Sequence, residues 1–386
     1  MTEALPLLEI GLILLAAAAA GTLSRRLGLP AVLGYLMVGL VVGPFTPGYV
    51  ADRHQIQLLA DVGVVLLLFE VGIELDLRTL RREPLGIVAA TCLQVALGVA
   101  IGMVLLSAFG VVPLGGATLA LAAALSSSVV VINITRSRRR TTDLATERAL
   151  VVWAVLQDIM TLVAAAVLTV LLFPGSDGGA ATVAKLIAFV ALVGAVHTFA
   201  VPRVLRAVRA EGDTFLISTV AIALSTAALG SVIFAVPIAL AAFVAGLALS
   251  TRPEAAEARR EVLPFRDLFA VMFFVGVGTL VDPASLPANI LWLAIAIGLV
   301  VLKVGLVAAL ARVFHIPARP LQLGVGLGQL GEVSFVVLGL GVSAGVVTSG
   351  QFAAFLSAAV LTIAISAVSV RLFPRTRQHA DAIGSA

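Results

Sequence analysis

Apolar residues run along this chain in stretches of roughly 20, the length a helix needs to cross a bilayer. Thirteen such stretches stand out, at 5–24, 29–44, 56–73, 85–109, 114–134, 147–173, 182–202, 214–232, 235–250, 264–281, 288–312, 321–345 and 351–372. Short polar or Arg-rich segments separate them. The pattern predicts an all-α polytopic membrane protein with about thirteen transmembrane helices.

The basic residues give an independent check. Of the 25 Lys and Arg, 22 follow odd-numbered stretches, from Arg25 and Arg26 after the first to Arg371, Arg375 and Arg377 after the last. Only Arg53 and Lys185 lie in the other loops, and Lys303 lies inside a helix. Positive residues stay on the cytoplasmic side, so the expected orientation is N-terminus outside and C-terminus inside, in a prokaryotic inner membrane. Glu3, Glu9 and the missing basic n-region argue against a signal peptide, so the first stretch reads as a retained helix.

An odd count suggests an internal repeat. Two six-helix blocks, 5–173 and 214–372, separated by a linker helix at 182–202, would have inverted topology, as in several secondary transporters. The whole chain, 1–386, is then a single transport domain with a cytoplasmic tail at 373–386. Such repeats place their site at interrupted helices in matching positions. The fifth stretch holds Ser126, Ser127 and Ser128. The twelfth holds Gly-Val-Gly-Leu-Gly-Gln-Leu-Gly-Glu (324–332), with Gln329, Glu332 and then Ser334. Small and hydroxyl residues permit a local break, so these two segments are expected to cross at mid-membrane.

Composition agrees. The chain is 61% hydrophobic and 12% charged, against about 25% charged in a soluble domain. A net charge of +4 would raise nucleic-acid binding in a soluble protein; here the Arg residues read as anchors on the bilayer. Cys92 has no partner for an internal disulfide. No Walker-type Gly-Lys pair, metal-ligand spacing or nucleophile–base pair stands out, so neither an enzyme nor a cofactor is expected, nor any metal beyond a transported alkali cation.

The chemistry centres on two isolated charges. Asp158 follows Gln157 in an apolar run, and Lys303 interrupts another. An acid at a membrane helix centre costs roughly 2.5–3.5 kcal/mol on insertion scales, and such residues usually line ion or proton paths. Asp158 is the candidate carrier of a proton or a cation in turn. Gln157 offers an amide oxygen, although neighbours on a helix point about 100° apart. Lys303 either pairs with Asp158 and is released by the cation, or holds the fold together. Glu70 and Glu74, one turn apart, are possible accessory acids. Glu74 and Asp76 approach a cytoplasmic end, where a solvated or structural role fits; Glu70 is deeper.

These residues carry a resemblance to the membrane domain of the Kef-type and NapA-type cation:proton antiporters. The matching stretches are Gly-Tyr-Leu-Met-Val-Gly-Leu-Val-Val-Gly-Pro (34–44), the segment 61–76, Leu-Ser-Ser-Ser-Val-Val-Val (125–131), Leu-Gln-Asp-Ile (156–159), Phe-Phe-Val-Gly-Val-Gly (273–278), Lys303, and Gly-Gln-Leu-Gly-Glu-Val-Ser-Phe-Val-Val (328–337). The resemblance implies exchange of K⁺ or Na⁺ for H⁺ by an elevator-like movement, in homodimers. By position, Asp158 matches the transport acid and Lys303 the basic residue of the core. Electrogenic members carry two adjacent acids where this chain has Gln157 and Asp158, which implies electroneutral exchange. Kef systems continue into a cytosolic nucleotide-binding domain, whereas the sequence stops soon after Arg371; regulation would be absent or come from a separate cytosolic subunit. The loop at 252–261 does not match the acidic regulatory loop of Kef proteins, and Glu70 stands where many relatives have an apolar or small residue. The alternatives are a ligand-gated K⁺ efflux channel on the same fold, a sensor that moves no ions, and a sodium-coupled organic solute carrier.

Overall fold

With no water in the hydrocarbon, a spanning chain must satisfy its backbone polar groups internally, and helices do so segment by segment. The structure, a computed structural model, describes residues 5–44, 53–74, 83–136, 141–173, 179–209, 211–280, 284 and 287–373. Among these residues there are sixteen α-helices and no strand. They are α1 (Leu5–Arg26), α2 (Ala31–Val42), α3 (Arg53–Glu74), α4 (Leu85–Ser107), α5 (Pro113–Ala124), α6 (Ser128–Arg136), α7 (Leu144–Leu172), α8 (Gly179–Phe199), α9 (Val201–Ala207), α10 (Gly212–Phe234), α11 (Ile238–Ser250), α12 (Ala255–Gly278), α13 (Ile290–Val313), α14 (Pro320–Gly326), α15 (Glu332–Ser343) and α16 (Ser349–Ser369).

Among the described residues, eight spans are long and apolar enough to cross a membrane by length and composition; α2, α5, α11 and most of α15 are shorter apolar helices. Local chemistry sets several ends. Ala235, left-handed at φ 54°, closes α10, and Pro237 precedes α11. Pro202 opens α9 immediately after α8 ends, because it cannot donate to the preceding turn. Thr348 and Gln351 form a reciprocal capping box at the start of α16.

The chain divides into two compact units. One comprises Met1–Ala17, Val41–Arg82 and Ala165–Thr279. In it α3 packs against α11 and α12 with almost no side chain between the backbones. A methyl group at Gly246 would strike the Phe69 carbonyl, and one at Gly63 would strike the Phe269 carbonyl. Small residues that admit such approach take the place of a hydrophobic driving force in lipid.

The start of α12 departs from the sequence-based boundary. A helix was expected from 264 after a loop, but α12 begins at Ala255 and carries its charged residues in helical register. Ion pairs hold those residues: Arg206 to Glu254 at 3.2 Å, Arg209 to Glu257 at 2.7 Å, and Arg259 to Glu70 at 2.6 Å.

The other unit comprises Ala18–Leu40, Glu83–Ala164 and Leu280–Ala386. Its apolar core gathers Leu150, Trp153, Val307 and Leu323 from α7, α13 and α14, with Leu327 just past α14, all but inaccessible. This unit contains α4 to α6, most of α7, and α13 to α16.

Candidate functional site

Two helical stretches of the second unit are interrupted. Between α5 and α6 the chain leaves the helix at Leu125, Ser126 and Ser127, with Leu125 extended. Between α14 and α15 it is irregular from Leu327 to Gly331. The expected breaks in the fifth and twelfth stretches are present, each resolved into a pair of helices.

The breaks touch. The Ser126 hydroxyl donates to the Leu327 carbonyl at 2.7 Å. A Cβ added at Gly331 would lie 2.7 Å from the Ser126 carbonyl oxygen and 2.8 Å from its carbon, so backbone meets backbone and only glycine fits. The Gln329 amide reaches towards the Ser127 carbonyl at 3.5 Å.

Each interrupted helix leaves carbonyls without an intrahelical partner and the negative end of a dipole. Side chains from other helices answer them. Lys303 on α13 donates its ammonium to both breaks at once, to Leu125 O and to Gln329 O, each at 2.6 Å. Ser334 on α15 donates to Ala122 O at 2.7 Å. Ser366 on α16 donates to Val325 O at 2.7 Å. The Ala124 carbonyl accepts from two amides, Gln94 on α4 and Gln157 on α7, both at 3.2 Å. On the opposite sides of the breaks, Ser127 Oγ caps α6 by accepting from Val130 N–H at 3.2 Å, and Leu330 N–H donates to Thr362 Oγ1 at 3.3 Å.

Lys303 is therefore not an isolated cation. It is 1% exposed, and its charge rests on Leu125 O, at the C-terminal end of α5 where the helix dipole favours a cation, and on Gln329 O inside the second break. Asp158 follows Gln157 on α7 and is also buried, at 7% exposure. Gln157 is completely buried. Its amide nitrogen donates to Gln94 Oε1 at 2.6 Å as well as to the break, and Trp153 Nε1 donates to the same Gln94 oxygen at 3.2 Å. Three buried side-chain oxygens of this unit, Gln157 Oε1, Gln322 Oε1 and Gln329 Oε1, have no hydrogen-bond partner among the described residues, and the first and last belong to residues of the crossing. Buried acceptors without donors are uncommon and call for a ligand, a water or an ion.

The structure thus brings Ser126, Ser127, Gln157, Lys303, Gln329 and Ser334 into one hydrogen-bonded assembly. Ser128 opens α6 beside it. Glu332 opens α15 by its backbone, and its side chain lies outside the described residues. Asp76 also lies outside them.

Glu70 and Glu74 belong to the other unit. Glu70 is 1% exposed and clasped by two guanidiniums of α12, Arg259 at 2.6 Å and Arg266 at 2.7 Å. Glu74 pairs with Arg259 at 2.8 Å. The geometry of Glu70 is that of a satisfied ionic clasp between α3 and α12. Asp267 holds the outer face of Arg266 at 2.6 Å.

Sequence reasoning passed over Gln94, Trp153, Thr362 and Ser366. A signal existed for Gln94: it is the only amide in α4, as isolated in its apolar run as Gln157 is in α7. A cavity of about 410 Å³ in the same unit is lined by Glu83, Ile87, Arg148, Val152, Phe314 and His315, among others, and includes no residue of the crossing.

The fold and these motifs have known counterparts. The family described as sodium/hydrogen exchanger, transmembrane, matches residues 12–374. YbaL of Escherichia coli (strain K12), a protein named for cation/proton antiport, is 31% identical over 92% of this chain and 66% of its own length. The glutathione-regulated potassium-efflux system protein KefC of Enterobacter sp. (strain 638) is 31% identical over 92% of this chain and 58% of its own. The chain thus spans roughly three fifths to two thirds of these relatives. The solved structure of the sodium proton antiporter MjNhaP1 from Methanocaldococcus jannaschii at pH 8 superposes with a TM-score of 0.70 at 16% identity, covering 96% of this chain and 99% of that one, which shows a shared fold. This is an integral membrane protein, and it belongs to the sodium/hydrogen exchanger family.

Proposed function

We propose that the chain exchanges a monovalent alkali cation, K⁺ or Na⁺, for protons by alternating access, with Asp158 as the shared carrier. The observation that carries this reading is the pair of crossed helix breaks. Their carbonyls are held by one buried ammonium, and Gln157, the neighbour of Asp158, is hydrogen-bonded to the same break. Such breaks are where a membrane fold can offer backbone and side-chain oxygens to an ion without leaving them exposed to lipid.

In this mechanism a protonated Asp158 is neutral and compatible with a buried site. Releasing that proton leaves a carboxylate whose desolvation a bare alkali cation compensates. One acid cannot hold both, and that competition is the coupling. Gln157 does not titrate, so one carboxylate exchanges one cation for one proton and no net charge moves. Lys303 keeps the crossing assembled through both loading states. All these residues lie in one of the two units, which suits a cycle in which that unit carries the ion as a body.

The reading extends to architecture. Repeats at 5–173 and 214–372 would each present its broken pair fifth, matching α5/α6 with α14/α15. The Arg pattern supports an outside N-terminus, and the assembly is taken to be a homodimer.

The test uses proteoliposomes with a lumenal pH dye, an inward-acid gradient and clamped voltage. Adding K⁺, Na⁺ or Li⁺ outside is expected to alkalinise the lumen with wild-type protein and not with Asp158→Asn. The active ion names the substrate. Rubidium flux that persists in the variant without proton movement would replace the antiporter by a channel.

A further inference from the structure

The Gln157 amide holds one orientation, and the reason lies at Trp153, one helical turn away on α7. An indole N–H can only donate. Trp153 Nε1 donates to Gln94 Oε1 at 3.2 Å, so the oxygen of Gln94 must face the indole. Its nitrogen then faces the Ala124 carbonyl, 3.2 Å away, which can only accept. Gln94 is thus fixed from both ends.

The same Gln94 oxygen stands 2.6 Å from the Gln157 side chain, and the Ala124 carbonyl stands 3.2 Å from it. Both present acceptors. The Gln157 group between them must be the NH₂, with each of its protons used. Turning the amide over would set oxygen against oxygen at both contacts. Gln157 Oε1 is left buried with no donor among the described residues. Trp153, Gln94 and Gln157 are all fully buried, so no bulk solvent relaxes the constraint.

Resting on the exchange reading above, we propose that Trp153 and Gln94 form a polarity relay. It turns the carbonyl oxygen of Gln157 away from Gln94 and the Ala124 carbonyl, as a neutral ligand for the dehydrated alkali cation carried by Asp158. A carbonyl dipole can replace part of an alkali ion's hydration shell, while an amide turned the other way would present a donor and repel the ion. Trp153 and Gln94 are positioning residues: they touch Gln157 and act through it.

The prediction is specific to the cation. In the proteoliposome assay, Gln157→Leu raises the apparent cation KM about tenfold or more, as expected for losing one polar contact to a charged group. Gln94→Leu and Trp153→Phe raise the cation KM in the same direction, with turnover at saturating cation reduced less. The decisive variant is Gln94→Leu combined with Gln157→Leu. If Gln94 acts through the Gln157 oxygen, its effect disappears in the Gln157→Leu background; a packing role persists there unchanged. For any variant that does not turn over, the rise in melting temperature on adding the cation in detergent replaces the KM, and Trp153→Phe preserves most of the packing.

A wild-type cation KM in Gln94→Leu, or an undiminished effect in the double variant, overturns the relay. If wild type exchanges and Asp158→Asn does not, that failure belongs to the relay alone. If wild type moves no protons with any cation, the exchange reading fails and the relay falls with it.

Discussion

Lys303→Gln tests what holds the crossing together. The ammonium makes two 2.6 Å bonds, to Leu125 O and Gln329 O, from a side chain that is 1% exposed. Opposing contributions decide the outcome. Removing a buried cation relieves a desolvation penalty of several kcal/mol. Against that, hydrogen bonds to a charged donor contribute about 1.5–3 kcal/mol each, and a buried carbonyl left without a donor costs about 1–3 kcal/mol. Glutamine is shorter and can reach at most one of the two carbonyls well, because they belong to different breaks. The balance resembles breaking a buried pair by removing one partner, about 3–5 kcal/mol. We expect a net loss of about 3 kcal/mol, read as a lower melting temperature in detergent and a lower yield of folded protein. Lys303→Arg keeps the charge but not the compact head, and should fall between. A Lys303→Gln variant that melts with wild type would refute the claim that this ammonium fastens the two breaks. Lys303 would then belong to the transport cycle alone.

Other substitutions probe separate links. Gly331→Ala places a methyl 2.7 Å from the Ser126 carbonyl oxygen, where only backbone can yield; overpacking of this kind costs about 1–3 kcal/mol, so the variant should melt lower and lose exchange together. Glu70→Gln leaves Arg259 and Arg266 without their shared carboxylate; a loss of about 3 kcal/mol in thermal stability is expected, with the cation dependence of exchange unchanged in the protein that remains folded. A changed cation KM would return Glu70 to the list of accessory acids. Thr348→Ala removes one half of the α16 capping box and should cost about 1 kcal/mol with no effect on transport.

The parts of the site most legible in the sequence were those that break a rule of their setting. Asp158 and Lys303 are charges inside apolar runs, and three consecutive serines or a run of alternating glycines cannot be explained by lipid contact. These features located both helix breaks. What the sequence concealed was polarity without charge. Gln94 interrupts its apolar run as Gln157 does, but nothing in the chain says that an amide 63 residues away shares its hydrogen bond. Helix boundaries were hidden for a related reason. The charged stretch ahead of Pro264 has the composition of a loop, and it becomes the start of α12 because Glu70 of α3, Arg206 of α9 and Arg209 just past it neutralise it in place.

Glu70 and Asp158 make the limit concrete. Both are carboxylates deep in apolar helices, and the pattern around each justifies the same suspicion of ion binding. The difference lies in partners from remote parts of the chain. Glu70 meets guanidiniums 189 and 196 residues away, on one face of α12. Two fixed, permanently charged donors already hold both of its oxygens, so a metal cation could bind there only by displacing an arginine. Asp158 sits one residue from an amide whose oxygen has no donor among the described residues, on a helix hydrogen-bonded to one of the two crossed breaks. In the exchange reading, a cation arriving there finds neutral oxygens to share, whereas at Glu70 it would have to displace an arginine. Burial alone therefore does not identify a transport acid. The criterion is whether the surroundings are fixed charges of the chain or neutral oxygens that an arriving cation can share.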